Sequence, residues 1–104
     1  MSSGHLAHWQ ALAVSDPNRL VAALADEELP TWELSFAAEV AGCLPAARSA
    51  LLVLLGHESP TVREGAIYGL AQQLDNDPSL REHLTKMTYD RSGAVREAAI
   101  EALT

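Results

Sequence analysis

The chain has one cysteine, Cys43, so no disulfide can form within it and a secreted, disulfide-stapled scaffold is excluded. Aromatic residues are scarce at 5%, and Ala and Leu dominate an apolar fraction of 48%. Strands prefer β-branched and aromatic side chains, whereas Ala and Leu are strong helix formers, so the bias points to close-packed helices. The longest apolar runs, residues 50–55 among them, are far shorter than the roughly 20 residues a membrane-spanning helix needs. The first residues, Met1-Ser2-Ser3-Gly4-His5, lack the basic and long apolar regions of a signal peptide, which makes a cytoplasmic location the expectation. Basic residues are few. Up to Gly42, Arg19 alone stands against six acids, and the whole chain carries a formal charge of −7. An acidic surface serves solubility and repels phosphate backbones and anionic lipid, so neither nucleic acid nor a membrane is an expected partner. There is no Gly-rich phosphate loop, nucleophile elbow or paired-Cys zinc motif.

What is present is self-similarity. A length of 104 residues suits a single domain, spanning 1–104, that buries roughly 65% of the surface its unfolded chain exposes. Laid over one another without gaps, positions 45–71 and 78–104 share identities at Pro45/Pro78, Arg48/Arg81, Leu51/Leu84 and Ser59/Ser92. Val62-Arg63-Glu64 then meets Val95-Arg96-Glu97, followed by Ala66/Ala99, Ile67/Ile100 and Leu70/Leu103. Chance would supply roughly two or three such matches in a chain rich in Ala and Leu, so the repeat is real.

Each copy reads as a helical hairpin. Pro45 and Pro78 suit the first turn of a helix, with Asp77 as N-cap before Pro78. Leu51, Leu52 and Leu55 in one copy, and Leu80, Leu84 and Met87 in the next, give each first helix an apolar stripe. Gly56 and the Tyr89-Asp90 pair close these helices. Ser59 and Ser92 are the expected N-caps of the second helices, whose inward faces carry Val62, Ala66, Ile67, Leu70 and Val95, Ala99, Ile100, Leu103. Small residues at 65, 66, 69, 98, 99 and 102 allow close approach of neighbouring helix axes.

The string Val-Arg-Glu-(Gly/Ala)-Ala-Ile-x-(Gly/Ala)-Leu, following a polar turn, resembles the second helix of HEAT-like repeats of the short bacterial type. The resemblance implies an all-α fold, an α–α superhelix of about three hairpins and roughly seven helices. It also implies that Arg63 and Arg96 sit half-buried and pair with acids in the inter-helix turns, with Asp90 and Glu58 as the candidates. His57 stands where the next copy has Asp90, a departure from the pattern. The two clear repeats then occupy 45–74 and 78–104. A degenerate repeat at 16–42 opens on Asp16-Pro17, with helices over 17–25 and 31–41 flanking the acidic turn Asp26-Glu27-Glu28. Residues 5–14 form a capping helix in which Trp9 shields the end of the stack.

No catalytic residue, metal ligand or cofactor emerges from these patterns. His5 and His8 are spaced i, i+3 without a third ligand, His57-Glu58 reads as a polar turn, and His83 reads as surface. Cys43 reads as a small packing residue. Some HEAT-like proteins resemble bilin lyases, a comparison that would centre a lyase or ligand carrier on Cys43 and a histidine. Others resemble repeat-built DNA glycosylases, which need the basic groove that this composition opposes. Both likenesses rest on fold alone. The favoured reading is a non-catalytic protein-binding module. The second-helix faces turned away from the core carry Glu64, Tyr68, Ala71, Gln72, Glu97 and Glu101, an acidic strip with one aromatic that suits a basic partner. An inhibitor or immunity-type binder of a basic protein is a narrower form of it. Trp32, beside the acidic turn, is either core or a second anchor. The helix over 95–103 presents apolar surface to a homodimer partner or another protein.

Overall fold

A computed structural model describes the backbone of residues 2–104 and the side chains of residues 7–104. Among the described residues the regular elements are helical throughout. They are α1 (Ser2–Ser15), α2 (Pro17–Ala23), α3 (Thr31–Ala41), α4 (Arg48–Leu54), α5 (Pro60–Ala71), α6 (Leu80–Met87) and α7 (Gly93–Leu103), with a 3-10 turn, Pro45–Ala47, leading into α4. This is the all-α stack of hairpins the repeat pattern predicts.

Two layers result. The longer helices α1, α3, α5 and α7 lie side by side in one layer, while the short α4 and α6 each back onto the helix that follows and α2 packs on both α1 and α3. Helices of seven or eight residues are too short to persist alone in water. Their stability comes from the leucines they bury: Leu20 from α2, Leu51 and Leu54 from α4, Leu80 and Leu84 from α6. The partner layer supplies Ala37, Ala38, Ala41, Val62, Ala66, Ile67, Leu70, Val95, Ala98 and Ala99 to the same core. Trp9 of α1 is buried against it and covers the α3 end, with its indole N–H unpartnered among the described residues.

The most extensive interface joins α3 to α5, and glycines make it. A Cβ at Gly65 would lie 2.5 Å from the Ser35 carbonyl oxygen, and one at Gly69 would lie 2.5 Å from that of Ala38. Backbone therefore rests on backbone. The equivalent α7 positions, Ala98 and Ala102, carry the extra methyl, and α5 and α7 share a smaller interface. The close approach also sets the phase of α3. Its buried Leu34, Ala37, Ala38 and Ala41 correspond to Val62, Gly65, Ala66 and Gly69, a shorter offset along the chain than the one relating α5 to α7.

Several local expectations change. Asp16 caps α2, accepting from the Arg19 N–H at 3.3 Å, but the helix ends at Ala23, short of the expected Ala25. Asp77 does not cap a helix. α6 starts later, at Leu80, because the Asp77 carboxylate is taken by Arg48 Nε and by the Ser79 hydroxyl. Ser59 and Ser92 stand at the N-cap positions without a side-chain cap bond. Their backbone amides are instead held by the turn before them, Ser92 N–H by Asp90 Oδ1 at 2.8 Å and Ser59 N–H by His57 Nδ1 at 3.0 Å. An imidazole nitrogen thus replaces a carboxylate oxygen in the same turn.

Candidate functional site

The inter-helix turns organise around Arg63, a buried cation at 5% exposure. Its Nε and Nη2 donate to Asp90 Oδ2 and Oδ1, both at 3.0 Å, and its Nη1 donates to the carbonyls of His57 at 2.8 Å and Glu58 at 3.0 Å. The expected pairing with Asp90 is formed across repeats. Glu58, the other candidate acid, contributes its backbone oxygen to this network rather than its carboxylate. Burial raises the Asp90 carboxyl, but the Arg63 guanidinium, the Ser92 N–H and Arg91 outweigh it and hold the group below its ordinary value. Arg96, the counterpart of Arg63 in the next copy, donates to the Asp90 carbonyl at 2.8 Å. In α3 the equivalent position is Ser35, whose hydroxyl donates to the Thr61 carbonyl. With no guanidinium there, α3 offers position 57 no counterpart of the Arg63–Asp90 pair.

The exposed side of the long-helix layer brings together most of the residues named from sequence. Tyr68 stands on α5 at 36% exposure, beside Glu64 on its own helix and Glu97 and Glu101 on α7. Burial raises its phenol above its ordinary value, and Glu101, Glu64, Glu39 and Glu97 raise it further in that order. These four carboxylates come from three helices. Glu39 escapes sequence reasoning because only the packing phase of α3 reveals which side it occupies. Gln72, also named as a contact residue, has an internal role as well: its amide donates to the Glu39 carbonyl at 2.7 Å and lies 3.4 Å from that of Tyr68. Its neighbour Gln73 donates to the Gly42 and Leu44 carbonyls at 3.1 and 2.8 Å, so the pair satisfies backbone oxygens at the end of α3.

Trp32 lies away from Tyr68, at the start of α3, 44% exposed with its ring edge-on to Phe36 at 6.3 Å between centroids. It is therefore a surface aromatic and not a core residue. Phe36 in turn lines a cleft of about 450 Å³ between α1 and α3, together with Ala13, Val14 and Val40 and a polar rim of Gln10, Glu39, Cys43 and Gln72.

Cys43 is exposed, contrary to the expected packing role, because it follows α3 in the turn that Gln73 pins. It borders two clefts, and among the described residues no histidine lines either of them. The Cys–His pairing that a lyase reading requires is not formed there. Among the described residues no three metal-ligating side chains cluster; His8 is exposed and packs against Trp9, and the side chain of His5 lies outside the described residues. No helix among them is long and apolar enough to cross a membrane. On α7, Ile100 is 56% exposed, whereas Ile67, its equivalent under α7, is fully buried.

Comparison with known proteins agrees with this geometry. No curated protein and no solved structure matches the chain. The family model described as HEAT repeats matches residues 6–104, nearly the whole length. With its paired helices, inter-repeat Arg63–Asp90 contact and small-residue spine, the chain belongs to the HEAT-repeat family.

Proposed function

We propose that this chain is a non-catalytic binding module whose acidic face, centred on Tyr68, takes a basic segment of another protein. HEAT repeats generally mediate protein–protein interaction, and that general role is the starting point. The observation that carries the finer reading is the convergence of Glu39, Glu64, Glu97 and Glu101 around one half-exposed tyrosine. Like charges gathered on three helices repel one another, and a Lys- or Arg-bearing partner relieves that repulsion on binding. Tyr68 adds a large amphipathic surface with few rotamers to lose, and its ring face attracts a cation. The four carboxylates also steer a basic partner toward the site and repel anionic surfaces. A cytoplasmic inhibitor of a basic toxin or nuclease is the narrower form of the same reading, since it needs the same surface and the same partner charge.

The test is affinity capture from the native host with the intact chain, followed by titration of the captured protein. Tyr68→Ala is expected to weaken binding on the order of tenfold or more, and Glu101→Lys likewise. Glu101 is exposed, so its change affects folding little, whereas Tyr68 is only 36% exposed and a thermal melt of its variant accompanies the titration. Unchanged affinity in both variants would move the site elsewhere on the molecule.

A further inference from the structure

The outward positions of the long-helix layer line up in rows across α3, α5 and α7. Phe36, Glu64 and Glu97 form one row and Val40, Tyr68 and Glu101 the next, at the same offsets that relate the buried faces of these helices. Along each row the chemistry changes from apolar on α3 to acidic on α7. Val14 of α1 extends the apolar end: it is 87% exposed and lines the cleft with Ala13, Phe36 and Val40. Two residues join the halves. Glu39 is on the rim of the cleft and also among the carboxylates around Tyr68, and Gln72 lines the cleft while its amide is held by the Glu39 carbonyl.

We propose that the cleft between α1 and α3 receives a bulky apolar side chain from the same partner segment whose Lys or Arg side chains lie over Tyr68 and its glutamates. The proposal rests on the acidic-face reading above and adds the second half of the recognition element. A purely basic segment would leave Val14, Phe36 and Val40 in water, and a purely apolar one would gain nothing from Glu39 at the rim. A segment with both chemistries matches the face from end to end. The cleft volume, about 450 Å³, falls within the roughly 300–1,000 Å³ of pockets that hold small organic groups. An apolar side chain seated there removes exposed apolar surface on both molecules from water. The cationic residues supply long-range attraction and register.

The experiment is selection of a random peptide library displayed on phage against the immobilised full chain, with the enriched peptides then synthesised and titrated. Val14→Gln and a bulky maleimide adduct on Cys43 each perturb the cleft from an exposed position, and Glu101→Gln perturbs the acidic half. The expected result is enrichment of peptides with a Leu, Met or Phe at a fixed distance from Lys or Arg. Their affinity should fall on the order of tenfold in the Val14→Gln chain and in the Cys43 adduct. Basic peptides with no fixed apolar position, bound equally by the wild type, Val14→Gln and the adduct, would overturn the cleft proposal while leaving the acidic-face reading standing. Enriched peptides without basic residues, indifferent to Glu101→Gln, would overturn both.

Discussion

Replacing Arg63 with Ala is expected to destabilise the fold by about 3–5 kcal/mol, the range found when one member of a buried ion pair is removed. The change strands Asp90, whose side chain is only 11% exposed, and deprives the His57 and Glu58 carbonyls of their shared donor. At roughly 4–8 °C per kcal/mol for a domain of this size, the loss is large in a thermal melt. Arg48→Ala provides the contrast. Its pair with Asp77 is 37% and 30% exposed, so water screens both partners and the expected effect is far smaller. The double variant Arg63→Met/Asp90→Ala should lose less than the sum of its parts, because no unpaired charge is left behind.

The same pair governs the acid limb. Asp90 is held below its ordinary value in the folded chain, so the folded state binds fewer protons than the unfolded one over that interval. Its contribution is therefore complete above the unfolded carboxyl value of about 3.9 and is lost as pH falls through the lower folded value. Urea unfolding of Asp90→Asn should show its full deficit at neutral pH and a shrinking deficit in strong acid. A deficit that grows on acidification would contradict the assignment.

Gly69→Ala is expected to destabilise by about 1–3 kcal/mol, the usual cost of overpacking, although Ala is the better helix former by about 1 kcal/mol. The new methyl would stand 2.5 Å from the Ala38 carbonyl oxygen and 3.3 Å from both Leu51 methyls. The first of these is backbone in the middle of α3 and can yield only if the two helices separate. Gly65→Ala meets the Ser35 backbone in the same way. At the equivalent α7 position, where a methyl already fits, Ala102→Gly should cost about 1 kcal/mol in helix propensity together with the loss of a methyl packed against the core. Urea midpoints for the three variants give the comparison, and a Gly69→Ala protein as stable as wild type would mean that α3 and α5 are not in backbone contact.

These close contacts mark the boundary of what sequence patterns convey. The repeat period exposed the hairpins at 45–74 and 78–104, since Val-Arg-Glu and the small residues after it recur in both copies. The bounds of α3, expected over 31–41 after the acidic turn Asp26-Glu27-Glu28, were also legible. Its phase was not, because α3 has Ser35 in place of the arginine and stands at a shorter offset from α5 than α5 does from α7. Glu39 and the cleft beside Phe36 depend on that phase and stayed hidden with it. The bond between Arg48 and Asp77 joins two different repeats, and no local rule indicates that the aspartate turns away from its own helix. Glu64, Tyr68, Glu97 and Glu101 were legible because helical spacing alone places them opposite the buried face.

Binding of a basic protein to the acidic face around Tyr68 is tested most directly by the affinity of the captured partner across a series of salt concentrations. The two chains to compare are the wild type and one with Glu64, Glu97 and Glu101 all changed to Gln. Exposed charges interact over a Debye length of about 10 Å at 0.1 M salt and about 3 Å at 1 M. The wild-type affinity should fall steeply as salt rises, and the triple variant should bind more weakly at low salt with most of that dependence gone. Equal affinities and equal salt slopes for the two chains would contradict binding through this face.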